Sequence, residues 1–141
     1  MAIPTHQKAL VLPSPRAAFV VQIVEAPKPE PDEVLVRIEA AALNPVDWKI
    51  QQFGIIVTKY PAIVGSDAAG VVVQAGSDVS DLSIGDRVYV PTSRRTRNHC
   101  FNFPFSSGFH SIAGYRSAGY QQFAVIRADL TLKVCYVCNL H

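Results

Sequence analysis

Asn44-Pro45-Val46-Asp47-Trp48-Lys49 opens the segment with the densest turn, helix and strand signals in the chain. It continues through Tyr60-Pro61-Ala62-Ile63-Val64-Gly65-Ser66-Asp67-Ala68-Ala69-Gly70-Val71-Val72-Val73, turns at Gly76-Ser77-Asp78, and closes on Ile84-Gly85-Asp86-Arg87-Val88. A residue before proline is pushed out of the helical region, so Asn44 breaks what precedes it. Pro45 then suits the first turn of a helix that runs to about Phe53, with Gly54 as its stop. Asp67 to Gln74 reads as a strand with Gly70 inside it, and an interior strand glycine marks a bulge or a close backbone approach. Gly65, Gly70, Gly76 and Gly85 all read as positions chosen for backbone geometry.

Outward from this centre the chain is rich in short strands. Residues 7–12 and Phe19 to Val24 are β-rich runs, the first stopped by Pro13 and Pro15. Pro27, Pro29 and Pro31 form an extended link before Asp32 to Ala42, the longest strand candidate. Val34, Val36 and Ile38 fall on one face of that strand and Leu35, Arg37 and Glu39 on the other, the alternation of a strand with one buried face. Arg87 to Val90, Gln122 to Arg127 and Leu130 to Val134 supply the remaining strands. The expected fold is mainly β: a small, partly open β-barrel with one or two short helices. Residues 92–118 show no sustained period and read as an irregular insertion.

A chain of 141 residues is one domain's worth. Hydrophobic residues make up 49% and charged residues 17%, a globular composition whose apolar lean leaves one interface to cover. The net charge of +2 is dispersed, apart from Arg94-Arg95-Thr96-Arg97, and argues for neither a nucleic-acid nor a membrane surface. No apolar run approaches the roughly 18 residues of a spanning helix, and Met1 to Lys8 lacks the layout of a secretory signal. Three cysteines, Cys100, Cys135 and Cys138, are too few for a disulfide framework, which suits a reduced, cytoplasmic protein.

The quoted stretch resembles the N-terminal, GroES-like catalytic domain of the medium-chain dehydrogenase/reductase superfamily. The likeness is to its zinc-free branch of quinone reductases and fungal trans-acting enoyl reductases. It covers roughly residues 7–93 and 119–133, so the expected domain is 7–133 with the insertion 92–118, followed by a non-family tail at 134–141. The zinc-dependent branch has a cysteine in the turn occupied here by Asn44-Pro45-Val46-Asp47, and Gly-His-Glu where this chain has Gly65-Ser66-Asp67. Both soft ligands are missing, so no metal is expected. Cys135-Tyr136-Val137-Cys138 is a single C-x-x-C pair near the end of the chain and reads as neither a zinc nor a redox site.

The resemblance implies NADPH as cofactor and places Val46, Asp47, Trp48 and Lys49 against its nicotinamide end. Lys49 is the sharpest candidate, since its cation would pair with a cofactor oxygen or orient an acceptor carbonyl. Each residue also has a plainer reading. Lys49 suits a solvated helix face, Asp47 a local cap, Asn44 an Asx-turn and Asp67 a structural hydrogen-bonding role, while Trp48, the sole tryptophan, reads first as core. Tyr120 and Tyr89 are phenols able to protonate a reduced substrate, though spacing favours neither. Ser66 lacks a nucleophile-elbow context. The catalytic residue itself is left unassigned.

A tight dinucleotide site needs a glycine-rich strand-to-helix turn, and no G-x-G-x-x-G or near relative occurs here. The Rossmann half of the resembling enzymes is therefore expected to be absent, and the family pattern breaks at 92–118 and again after Lys133, as a translated intron or a misplaced exon edge would leave it. The expected function is the catalytic-domain portion of an NADPH-dependent enoyl or quinone reductase, with a role in secondary metabolism, small-molecule enone, quinone or polyketide-type substrates and little activity alone. An oligomer is compatible with the exposed interface. The alternative is a non-enzymatic barrel domain or fragment that binds a partner protein. A ring-forming co-chaperonin, whose barrel is similar, is disfavoured by the Asn44–Lys49 helix.

Overall fold

The computed structural model describes residues 3–91 and 116–134. Most of the insertion, all three cysteines and the tail beyond Val134 lie outside the described residues, and so do the readings made for them. In chain order the elements are β1 (His6–Leu12), β2 (Val20–Glu25), β3 (Glu33–Ala41), α1 (Pro45–Phe53), β4 (Ala62–Ile63), β5 (Asp67–Ala75), β6 (Arg87–Pro91), β7 (Phe123–Arg127), a 3-10 turn (Ala128–Leu130) and β8 (Leu132–Lys133). The mainly β architecture is as the sequence indicates, and among the described residues one α-helix forms, within the one or two expected. Two antiparallel sheets form, ordered β2-β1-β4 and β7-β3-β5-β6-β8, and among the described residues they do not close into a barrel.

Alternation explains the main core. Val34 and Val36 of β3 face Val72 of β5, Val88 of β6, and Ala124 and Ile126 of β7, with Leu82 closing the cluster. The opposite face of β3 departs from the expected one-sided pattern. Leu35 is fully buried there with Phe123 and Val125 of β7 and partly buried Val73 of β5. β3 is an interior strand with β7 on one side and β5 on the other, so its first half is apolar on both faces. The expected polar face begins only at Arg37, which bonds Glu39 at 3.1 Å.

Gly70 lies opposite Ile38, next to a register shift between Ile38 and Ala40. A Cβ there would overlap the Arg37 carbonyl oxygen, so the interior glycine marks the close approach that its position suggests. The two sheets are joined by a buried amide pair. Gln7 Nε2 donates to Gln121 Oε1 at 3.0 Å, and Gln7 Oε1 accepts from the Phe123 N–H at 2.6 Å. Both glutamines are buried, and each satisfies polar groups that the meeting of the sheets would otherwise leave dry. Arg116 pins the start of the same segment, with 3.0 Å and 2.9 Å contacts to Glu30 and Glu33.

The turn from Ser83 to Asp86 behaves as its sequence suggests. Asp86 Oδ2 accepts from the Ser83 N–H at 2.9 Å, and Lys133 of β8 sits 2.7 Å from the same carboxylate. The Lys133 hydrogen bond, helped by the Ser83 amide, holds the Asp86 carboxyl below its ordinary range. Strand β4 is too short, at two residues, for any period to mark it in the sequence. It pairs Val11 with Ile63 and Leu12 with Ala62, carrying the quoted stretch onto β1.

Candidate functional site

Helix α1 is the element on which the candidate residues lie. Asn44 takes an extended conformation (φ −104°, ψ 151°) as N-cap, Pro45 occupies the first turn, and the Gly54 N–H closes the helix on the Ile50 carbonyl at 3.0 Å. Within its nine residues only Asp47 and Ile50 are buried. Ile50 packs with Leu12, Val57, Ala62 and Val64, and Val46 is half-buried against the same cluster. The helix is therefore held by one apolar and one polar anchor.

The polar anchor is dense. Asp47 Oδ2 accepts from the Asn44 N–H at 2.7 Å and from the Tyr120 hydroxyl at 2.7 Å, and Oδ1 accepts from the Ser66 hydroxyl at 3.3 Å. Asp47 is 5% exposed and Ser66 is equally buried, while Asn44 and Tyr120 are half-buried, so the carboxylate is largely shielded from water. Burial first, and then the Asp47 bond and charge, push the Tyr120 phenol well above its ordinary range. A second carboxylate continues the network. Asp67 Oδ2 accepts from Asn44 Nδ2 at 2.9 Å, and Asp67 Oδ1 accepts from the Tyr89 hydroxyl at 3.1 Å. The backbone carbonyl of Asp67 also takes the Ala42 N–H at 3.0 Å.

Of the four residues placed on the cofactor wall, two present side chains to solvent and two face inward. Asp47 is the buried cap just described, and Val46 packs on the core. Trp48 is 53% exposed, contrary to its first reading as core. The reason is helical geometry: once Asp47 and Ile50 fix the inner face, the two residues between them are turned outward. Lys49 is exposed, with Nζ 5.8 Å from the centroid of the Trp48 ring, within cation–π reach. Phe53, one turn on, stands 5.8 Å from the indole at an interplanar angle of 55°. Leu43, before the cap, is 88% exposed and adds apolar surface beside the helix.

Other sequence candidates are settled by their partners. The Ser66 hydroxyl is tied to Asp47, which leaves it no nucleophilic arrangement among the described residues. The Asn44 side chain shares a local capping box with Asp47, and its Nδ2 also reaches Asp67, 23 residues away. The two phenols differ: that of Tyr120 is spent on Asp47, and that of Tyr89 lies on Asp67 at a partly exposed position. Sequence reasoning missed that Tyr120, Ser66 and Asp47 meet. Only the glycine beside each partner, Gly65 before Ser66 and Gly119 before Tyr120, hinted at a tight junction. There the Gly119 N–H bonds the Gly65 carbonyl at 3.0 Å.

Known proteins share this arrangement of strands and helix. The family model described as the alcohol dehydrogenase GroES-like domain matches residues 30–136. A chloroplastic quinone-oxidoreductase homologue of Spinacia oleracea is 49% identical over 76 residues, covering 52% of this chain and 23% of its own length. A trans-enoyl reductase of Aspergillus terreus is 33% identical over 125 residues, covering 88% of this chain and 38% of its own. Among solved structures, a thermostable alcohol dehydrogenase of Pyrobaculum aerophilum superposes with a TM-score of 0.76 at 29% identity, over 92% of this chain and 41% of that one. The chain thus spans at most about two-fifths of each of these relatives. Its place among them is the N-terminal catalytic domain of medium-chain dehydrogenases/reductases, and the chain belongs to the alcohol dehydrogenase GroES-like domain family.

Proposed function

We propose that this chain forms the substrate-side wall of an NADPH-dependent, zinc-independent oxidoreductase that reduces an activated C=C bond or a quinone. The single observation that carries the reading is the pairing of Trp48 and Lys49 on the outer face of α1, held in place by the buried Asp47. A planar indole beside an ammonium fits the flat, partly charged end of a nicotinamide cofactor or a conjugated carbonyl substrate. When bound, NADPH supplies the hydride for the β-carbon of such an acceptor, and a proton completes the α-carbon. This chain's residues orient the reactants: Lys49 holds an oxygen and Trp48 offers a stacking surface. Val46 and Asp47 act from the inner face, fixing where the helix stands.

Zinc-independence is supported by the donor set. Asn44 and the Gly65-Ser66-Asp67 loop are brought together, but as an amide, a hydroxyl and one carboxylate already held in hydrogen bonds. Among the described residues no three His, Cys, Asp or Glu side chains converge. Such a set does not fit a zinc ion, which takes three protein ligands around an open position.

The test is an NADPH titration followed by Trp48 emission. With no glycine-rich dinucleotide turn in the sequence, the expected dissociation constant is on the order of 1 mM. Lys49→Ala weakens it roughly fivefold, the loss of about 1 kcal/mol for one charge-assisted contact. Binding that is equal in both proteins contradicts the assignment of Lys49. One observation favours the partner-binding alternative: Val21 and Ile23 on the edge strand β2 are 67% and 64% exposed. Stable self-association without cofactor, together with no response of Trp48 to NADPH, would decide for it.

A further inference from the structure

Tyr120 is where four parts of the fold meet. Its N–H donates to the Val64 carbonyl at 3.0 Å, and its own carbonyl accepts from the Leu10 N–H of β1 at 2.9 Å. Its ring lies against Gly65, where φ is +111° and an added Cβ would stand 2.6 Å from Tyr120 Cδ1. Only glycine leaves that seat open. The hydroxyl reaches Asp47 Oδ2 at 2.7 Å, with the Ala42 carbonyl at 3.2 Å. A phenol has one proton to give, and the carboxylate is the stronger acceptor.

Asp47 lies in the first turn of α1 and precedes Trp48 directly. With Ile50 the only other buried residue of the helix, the Asp47 carboxylate is the point that sets the rotation of the first turn about the Ile50 anchor. Two donors share its Oδ2 atom: the Asn44 amide from within the cap, and the Tyr120 hydroxyl from 73 residues away. The Asn44 bond is local and moves with the helix. Among the described residues Tyr120 and, at longer distance, Ser66 are the donors that reach the carboxylate itself from outside the cap, while the Asn44 side chain holds the cap to Asp67 of β5.

We propose that Tyr120 is a positioning residue for the Trp48–Lys49 face: its hydroxyl, through Asp47, fixes where the indole and the ammonium stand relative to the sheets. The role of that face in binding rests on the functional reading above; the coupling of Tyr120 to the face does not.

The sequence has one tryptophan, so the emission of the full chain reports on this face alone. Tyr120→Phe keeps the ring on Gly65 and removes only the hydroxyl. The expected result is an unchanged far-UV spectrum with a moved Trp48 emission maximum and an acrylamide quenching constant altered by roughly 1.5-fold or more, as a freed helix turn changes solvent access. A tyrosine that merely fills the core would lower the melting temperature and leave the emission of the folded protein where it was. Tyr60→Phe is the control. Its hydroxyl is buried without a partner among the described residues, it packs on the same cluster, and its removal should leave Trp48 unmoved. Added NADPH should bind Tyr120→Phe more weakly than the unaltered chain, by no more than the roughly fivefold expected for removing Lys49 itself.

Emission and quenching identical to the unaltered chain in folded Tyr120→Phe overturn the proposal. If Tyr120→Phe does not fold, Asp47→Asn tests the same coupling, since an amide oxygen still accepts both bonds but holds them less tightly. A shifted Trp48 signal then supports the coupling, and an unshifted one overturns it. Failure of the unaltered chain to respond to NADPH would instead sink the functional reading, leaving the coupling to be judged by quenching alone.

Discussion

Replacing Asp47 with alanine is expected to lower folding stability by about 2–3 kcal/mol, because it removes the acceptor on which three donors converge. The Tyr120 hydroxyl, the Ser66 hydroxyl and the Asn44 amide all converge on this carboxylate. Each donor that loses this acceptor costs about 1 kcal/mol, less where a second acceptor stands near, as the Ala42 carbonyl does for Tyr120, and loss of the cap adds about 1 kcal/mol. Asp47→Asn should cost less, about 1–2 kcal/mol, because its amide oxygen remains an acceptor. Urea unfolding checks both through the shift in midpoint at constant slope. A loss of under about 1 kcal/mol for Asp47→Ala would mean that water or rearrangement satisfies these donors, and the anchor described for α1 would not exist.

Gly70→Ala should be comparably damaging for a different reason. The added Cβ would overlap the Arg37 carbonyl oxygen and crowd Val36 Cγ1 at 2.9 Å, and the first of these is backbone of the interior strand β3. β3 cannot retreat, since it is paired with β5 on one side and β7 on the other. The expected cost is about 3 kcal/mol, at the upper end for overpacking. An alanine in an ordinary strand interior would instead be tolerated or favoured over glycine. Thermal or urea unfolding of Gly70→Ala at or above the stability of the unaltered chain would show that the strands are not in this close register.

The contrast between these two sites shows what the sequence carried. Strands β1, β2, β3, β5, β6 and β7 were legible because β-rich runs of four or more residues lie between turn signals, and α1 because Asn44-Pro45 and Gly54 mark its ends. Gly70 could be singled out because a glycine among valines forgoes side-chain packing, which a close backbone contact requires and little else in a strand does. What the sequence could not show was each relation that depends on distant partners. Leu35 looked solvent-facing until β7 supplied Phe123 and Val125 to its side of the sheet. Trp48 looked like core because of its residue type, but the inner face of a short helix is decided by which residues find anchors, and those were Asp47 and Ile50.

The candidate site was legible as a set of residues and not as an arrangement. Val46, Asp47, Trp48 and Lys49 were marked together by the motif, yet nothing local separates the two that face solvent from the two that face inward. That division comes from Tyr120 and Ser66, which are far from the helix in sequence and reach it only through the fold. The Asn44–Asp67 bond is a similar case: an asparagine before proline suggests a local turn, and the partner that claims its amide arrives with β5.

Whether the Trp48–Lys49 face receives the nicotinamide end of NADPH decides the functional reading, and resonance mapping of the isotope-labelled chain answers it. Added NADPH is expected to shift the Trp48 indole and the Trp48 and Lys49 amides selectively and saturably, with a midpoint on the order of 1 mM, and Lys49→Ala to weaken the response. Shifts that fall instead on β2 or along the β6–β8 edge, or resonances of Trp48 and Lys49 that stay still as the cofactor is raised well past that concentration, would contradict it.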